Sequence, residues 1–131
     1  MTYKVFTETG SRIGKPQVSI WSRGQIGLNQ GAMKRFKLKD FTYAIILYDE
    51  DTRKVGIRFT NDENLSGIIK LVKRGSGGVS FSAASFLNHY GIEFSGTTKF
   101  TLTQDKDNEL YAFDLNEPIR KTGEGLKNAK T

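Results

Sequence analysis

Three observations predict a mainly β (α+β) protein, a compact β-barrel built from two like units. Short runs of β-branched and aromatic residues recur between Gly, Asn and Asp turns. The order strand, strand, short helix, strand, strand occurs twice along the chain. At 131 residues, with 37% hydrophobic and 26% charged side chains, the chain suits one domain with one core and is too apolar to be disordered throughout.

The first unit spans residues 17–59. Val18 to Trp21 alternate within QVSIWS, Arg23-Gly24 supplies a turn, and Gln25-Ile26-Gly27-Leu28 forms a second short strand. Asn29 is placed to cap a helix of about two turns, in which Ala32, Met33 and Phe36 recur at helical spacing and Lys34, Arg35 and Lys37 take the opposite side. Tyr43 to Tyr48 (YAIILY) and Val55 to Phe59 (VGIRF) flank Asp49-Glu50-Asp51-Thr52, which reads as a hairpin.

The second unit spans residues 68–115. Ile68 to Val72 is a strand, Gly75-Ser76-Gly77-Gly78 a turn and Val79 to Phe81 a strand, after which Ser82 is expected to cap a helix over residues 83–90 that Gly91 ends. Lys99 to Thr103 and Leu110 to Phe113 enclose the turn Asp105-Lys106-Asp107-Asn108. Ile26 and Leu28 match Val79 and Phe81 at a spacing of 53 residues. With one residue inserted, Ala32, Met33, Phe36 and Leu38 match Phe86, Leu87, Tyr90 and Ile92 at 54. A unit of about 45 residues cannot readily bury both its sheet and its helix alone, so two units are expected to close one barrel. Residues 1–16 then form an N-terminal strand or arm, 17–115 the barrel domain, and 116–131 a flexible basic tail.

The stretches VSIWSRGQIGLNQGAMKRFKL and YAIILYDEDTRKVGIRF resemble the AbrB/SpoVT-type swapped-hairpin proteins, the transition-state regulators and MazE-like antitoxins. In that family two subunits of this element order intertwine, so the resemblance implies a chain that carries both halves as a pseudo-dimer. It also implies DNA binding and transcription regulation through a basic pair in the helix, matched here by Lys34-Arg35. The second half offers Asn88 and His89 there. Asn29 and Ser82 stand where the family has proline, and Gln25 and Val79 where it has a basic residue. A double-psi-like barrel is the structural alternative.

Charge is unevenly spread within a net +6: eight Lys and Arg face four Asp and Glu in residues 17–59, and five face eight in residues 60–118. Lys34, Arg35, Lys37 and Lys39, with Arg23 on the preceding turn, could neutralise several phosphates together. The same cations suit the solvated side of an amphipathic helix whose Phe36 and Leu38 point inward. Arg120, Lys121, Lys127 and Lys130 are possible tail contacts to the same polyanion. Trp21, Tyr43, Tyr48, Phe59 and Tyr111 could stack on unpaired bases, although strand alternation assigns most of them to packing.

Catalysis has little support. His89 is the single imidazole, and the 75–78 glycine turn opens a strand and lacks the Lys-Ser/Thr of a phosphate loop. The acidic turns lack calcium-loop spacing, and without cysteine no thiolate metal site exists, so no metal or cofactor is expected. No apolar run is long enough to span a membrane and the start lacks signal-peptide character, which predicts a soluble cytoplasmic protein with no membrane partner. The expected function is therefore nucleic-acid binding, with double-stranded DNA ahead of RNA, by a monomeric pseudo-dimer or a homodimer. The alternative is a protein interaction module, antitoxin-like or a phage-type adaptor, on the same scaffold.

Overall fold

Alternation and turn chemistry produce short strands that pair antiparallel throughout. The computed structural model describes residues 15–121. The first half contains β1 (Gln17–Ile20), β2 (Gln25–Leu28), α1 (Gln30–Arg35), β3 (Tyr43–Asp49) and β4 (Lys54–Thr60). The second contains β5 (Ile69–Lys70), β6 (Val72–Lys73), β7 (Val79–Ser82), α2 (Ala84–His89), β8 (Thr98–Thr101), β9 (Thr103–Asp105) and β10 (Leu110–Asp114). A further strand, β11 (Pro118–Lys121), pairs with β8 inside the stretch expected to be tail.

The strands divide into two antiparallel sheets and do not form the expected closed barrel. One sheet has the order β11-β8-β1-β2-β7-β6 and the other β5-β3-β4-β10-β9. Two expected strands are broken where the chain passes from one sheet to the other. Leu71 separates β5 from β6 and Leu102 separates β8 from β9; both are buried, and their N–H groups donate to the Thr42 and Pro16 carbonyls. Each division falls at a buried leucine, where the pairing on its two sides belongs to different sheets.

Each sheet mixes the halves. β2 pairs with β7, β4 with β10, β1 with β8 and β3 with β5. Inward rows such as Phe100–Val18–Leu28–Val79 and Ile46–Ile57–Tyr111 join one core cluster that also holds Met33, Leu38, Leu87 and Ile92. Phe100 of the first sheet meets Phe113 of the second with ring centroids 5.1 Å apart, so the core lies between the sheets.

The two five-residue turns are built alike at the 53-residue spacing. Trp21 N–H donates to the Gln25 carbonyl and Gly24 N–H to that of Trp21; Arg74 N–H donates to Gly78 and Gly77 N–H to Arg74. Gly24 (φ +81°) and Gly77 (φ +94°) take left-handed backbone, which glycine adopts without steric cost. Each lies against the helix of the other half: a Cβ on Gly24 would stand 2.7 Å from Ala84 Cβ, and one on Gly77 2.9 Å from Gln30 Nε2.

One helix start departs from expectation. Ala83, not Ser82, is the N-cap of α2 and makes no side-chain cap bond, while Ser82 ends β7 with an exposed side chain. The added residue is consumed by the strand, whose partner register Gln25–Ser82 carries the pairing one position further.

Candidate nucleic-acid interface

The basic helix is held in place by Asn29. Its Oδ1 accepts from Ala32 N–H at 2.8 Å and from Gln17 N–H at 3.0 Å, while Nδ2 donates to the Lys15 carbonyl at 2.9 Å. One side chain thus caps α1 and ties it to β1. At the other end Leu38 N–H donates to the Met33 carbonyl, and Leu38 is fully buried. Lys37 between them has φ +55°. This left-handed stop is repeated by Ile92 and Leu87 around Gly91, φ +65°, so lysine occupies the position where the second half has glycine.

Lys34, Arg35, Lys37 and Lys39 are all exposed, over buried Ala32, Met33 and Leu38. Lys34, Lys37 and Lys39, with Gln30 and Asp40, surround an open groove of about 600 Å³ that reaches Met33 and Gly77. Arg35 is not part of its lining. Lys73 fastens the chain beyond the helix, its ammonium donating to the Lys39 and Phe41 carbonyls.

Arg23 is exposed on the β1–β2 turn, and that turn packs on α2 and Phe94. The turn that meets α1 is the one from Arg74 to Gly78. Arg74, which the charge clustering in the sequence does not single out, donates from Nη1 to Ser80 Oγ at 3.3 Å and covers Trp21, its guanidinium carbon 4.9 Å from the ring centroid. The 53-residue spacing that equates Trp21 with Arg74 is the signal that points to it. Arg120 and Lys121 lie in β11, paired in register with Lys99 and Thr98; Lys127 and Lys130 lie outside the described residues.

The aromatic candidates are largely engaged in packing. Tyr48 contacts Phe86 and Tyr90, Phe59 contacts Phe41 and Tyr111, and Tyr111 lies 4.6 Å from Phe36, centroid to centroid. Burial pushes the Tyr111 hydroxyl above its ordinary pKa. Tyr43 is half-buried on β3. The acidic turns fold back on themselves: Asp49 Oδ1 accepts from the Asp51 and Thr52 N–H groups, and Asp105 Oδ1 from Asn108 N–H. Hydrogen bonds from Thr52 and Asn108 hold these carboxyls below their ordinary pKa. Among the described residues no group of three or more His, Asp or Glu is arranged to hold a metal ion, and no helix is long and apolar enough to cross a membrane.

Compared with protein-family models, curated proteins and solved structures, the chain matches none.

Proposed function

We propose that the chain is a duplicated, swapped-hairpin-like pseudo-dimer resembling the AbrB/SpoVT-type proteins, and that its α1 face binds nucleic acid, double-stranded DNA above all. The duplication is supported by the reciprocal strand pairing between halves, the two like turns and the two like helix stops. The binding face rests chiefly on one contrast. Lys34, Arg35, Lys37 and Lys39 stand at the 54-residue spacing from Asn88, His89, Gly91 and Glu93, so similar backbone carries four cations in one half and a carboxylate in the other. Lys37 carries its charge at the left-handed helix stop where the second half has Gly91.

The face would bind phosphates electrostatically, without catalysis or cofactor, as a transcription regulator does. One basic helix end in a two-fold-like scaffold implies an asymmetric contact with the duplex. Fluorescence anisotropy with random duplex DNA, single-stranded DNA and RNA, at low and near-physiological salt, tests this. Duplex-preferring, salt-sensitive binding supports it; no binding to any of the three at low salt overturns it and favours the protein interaction module.

A further inference from the structure

The inner face of the β5-β3-β4-β10-β9 sheet runs past the core at the β9–β10 hairpin. Its row Ile46–Ile57–Tyr111 ends on Gln104 of β9, an exposed polar residue where a further apolar one would extend the core. An open groove of about 390 Å³ lies there, within the size range of small-ligand clefts. Its lining combines three aromatic residues, Phe41, Phe59 and Tyr111, with Gln104, Lys106 and Glu109. The Phe59 ring lies 6.0 Å from that of Phe41 and 5.7 Å from that of Tyr111, and all three residues are only half-buried, so ring surface stays open to the groove. Gln104, Lys106 and Glu109 are exposed, and among the described residues their side chains make no hydrogen bond or ion pair.

We infer that this groove binds an unpaired guanine base, independently of whether α1 binds duplex DNA. The aromatic lining selects a flat ring, and the polar groups select which one. The Glu109 carboxylate only accepts, whereas the Lys106 ammonium and the Gln104 amide nitrogen donate. A ring that satisfies all three presents adjacent donors beside an acceptor along one edge. Guanine does so, with its ring N–H and amino group beside its carbonyl. Adenine and cytosine would turn a ring acceptor toward the carboxylate, and uracil has one N–H between two carbonyls. A guanidinium from a peptide would use Glu109 but would set its charge against Lys106. The guanine edge in question is occupied in a base pair, so the ligand is a free guanine nucleotide or an unpaired guanine in a strand. Its phosphate has cations within the same neighbourhood: Phe36, 4.6 Å from Tyr111 between ring centroids, precedes Lys37, and Phe41 follows Lys39 by two residues. Asp105 and Asp107 keep the phosphate away from the hairpin turn.

Calorimetric titration of the full chain tests the site in two arms. One uses guanosine, adenosine, cytidine and uridine monophosphates up to about 1 mM, and the other a hexathymidylate strand with and without a single guanine substitution. Glu109→Gln is the disrupting variant, and Asp107→Asn, in the same hairpin but outside the groove lining, is the control for lost charge. In either arm, a guanine ligand bound at least about tenfold more tightly than its guanine-free counterparts, a preference erased by Glu109→Gln and kept by Asp107→Asn, supports the site, and the arm that binds identifies the source. Binding without base preference overturns it, as does absence of binding in both arms. A guanine preference that a folded Glu109→Gln variant retains, or that Asp107→Asn removes equally, also overturns it.

Discussion

Arg74 covers the ring of Trp21 from 4.9 Å, and the two residues occupy the same place in two like turns. They meet above the pair Gly27–Ser80, which is itself separated by the 53-residue spacing. A two-fold axis between antiparallel strands must pass midway between a residue and its own counterpart, and this pair meets that requirement. Asp49 and Asp105 begin the two hairpin turns and lie 56 residues apart, as do Gly56 and Ala112, which pair in β4 and β10.

Trp21 lies so close over Gly27 that any Cβ there would overlap its ring. Gly27→Ala should therefore cost about 1–3 kcal/mol in chemical denaturation and shift tryptophan emission, because the indole must move. Arg74→Ala should shift emission while costing only about 0.5–1 kcal/mol, the range of an exposed cation–π contact.

Asn29 and Ser82 separate a real cap from an apparent one. Asn29→Ala removes the α1 cap and two bonds to the β1 segment, and should lower stability by about 1–2 kcal/mol. Ser82→Ala should change stability by less than about 0.5 kcal/mol, since its side chain is exposed and Ala83 is the N-cap. Urea titrations of both variants check the contrast.

These two residues also show how much of the fold is legible in the chain. Alternation, turn residues and the Asn29 cap are local, so the first half can be read element by element. Ser82 has the chemistry of a cap but not the place of one, because the pairing of β7 with β2, set by distant residues, takes one more residue into the strand. The crossings at Leu71 and Leu102 are likewise hidden, because they depend on which sheet each side of the leucine joins. Within the candidate site the four cations around α1 can be read directly. The exchange of turns, which puts Arg23 beside α2 and Arg74 beside α1, cannot, since it exists only in tertiary packing.

Lys37→Gly should raise stability by about 1 kcal/mol by relieving a left-handed lysine. The same change should weaken duplex binding, so stability and affinity move in opposite directions. Thermal melts and anisotropy on one protein preparation measure both.

Asp49 and Asp105 carry pKa values depressed below 3.8 by the hydrogen bonds of Thr52 and Asn108. A folded value below the unfolded one means that their stabilisation is present above about pH 4 and is lost as pH falls through the folded value. Melting temperature should therefore drop in that acidic window. The drop should be shallower in the Asp49→Asn/Asp105→Asn variant, which has no such protons to take up.

The most direct measurement is the salt dependence of duplex affinity when α1 is given the residues of α2, as Lys34→Asn, Arg35→His, Lys37→Gly and Lys39→Glu together. If this face holds the phosphates, affinity falls and the slope of log K against log salt shrinks by about 0.9 for each phosphate that is no longer neutralised, with circular dichroism unchanged. An unaltered slope and affinity in the folded variant would contradict the assignment of nucleic-acid binding to α1.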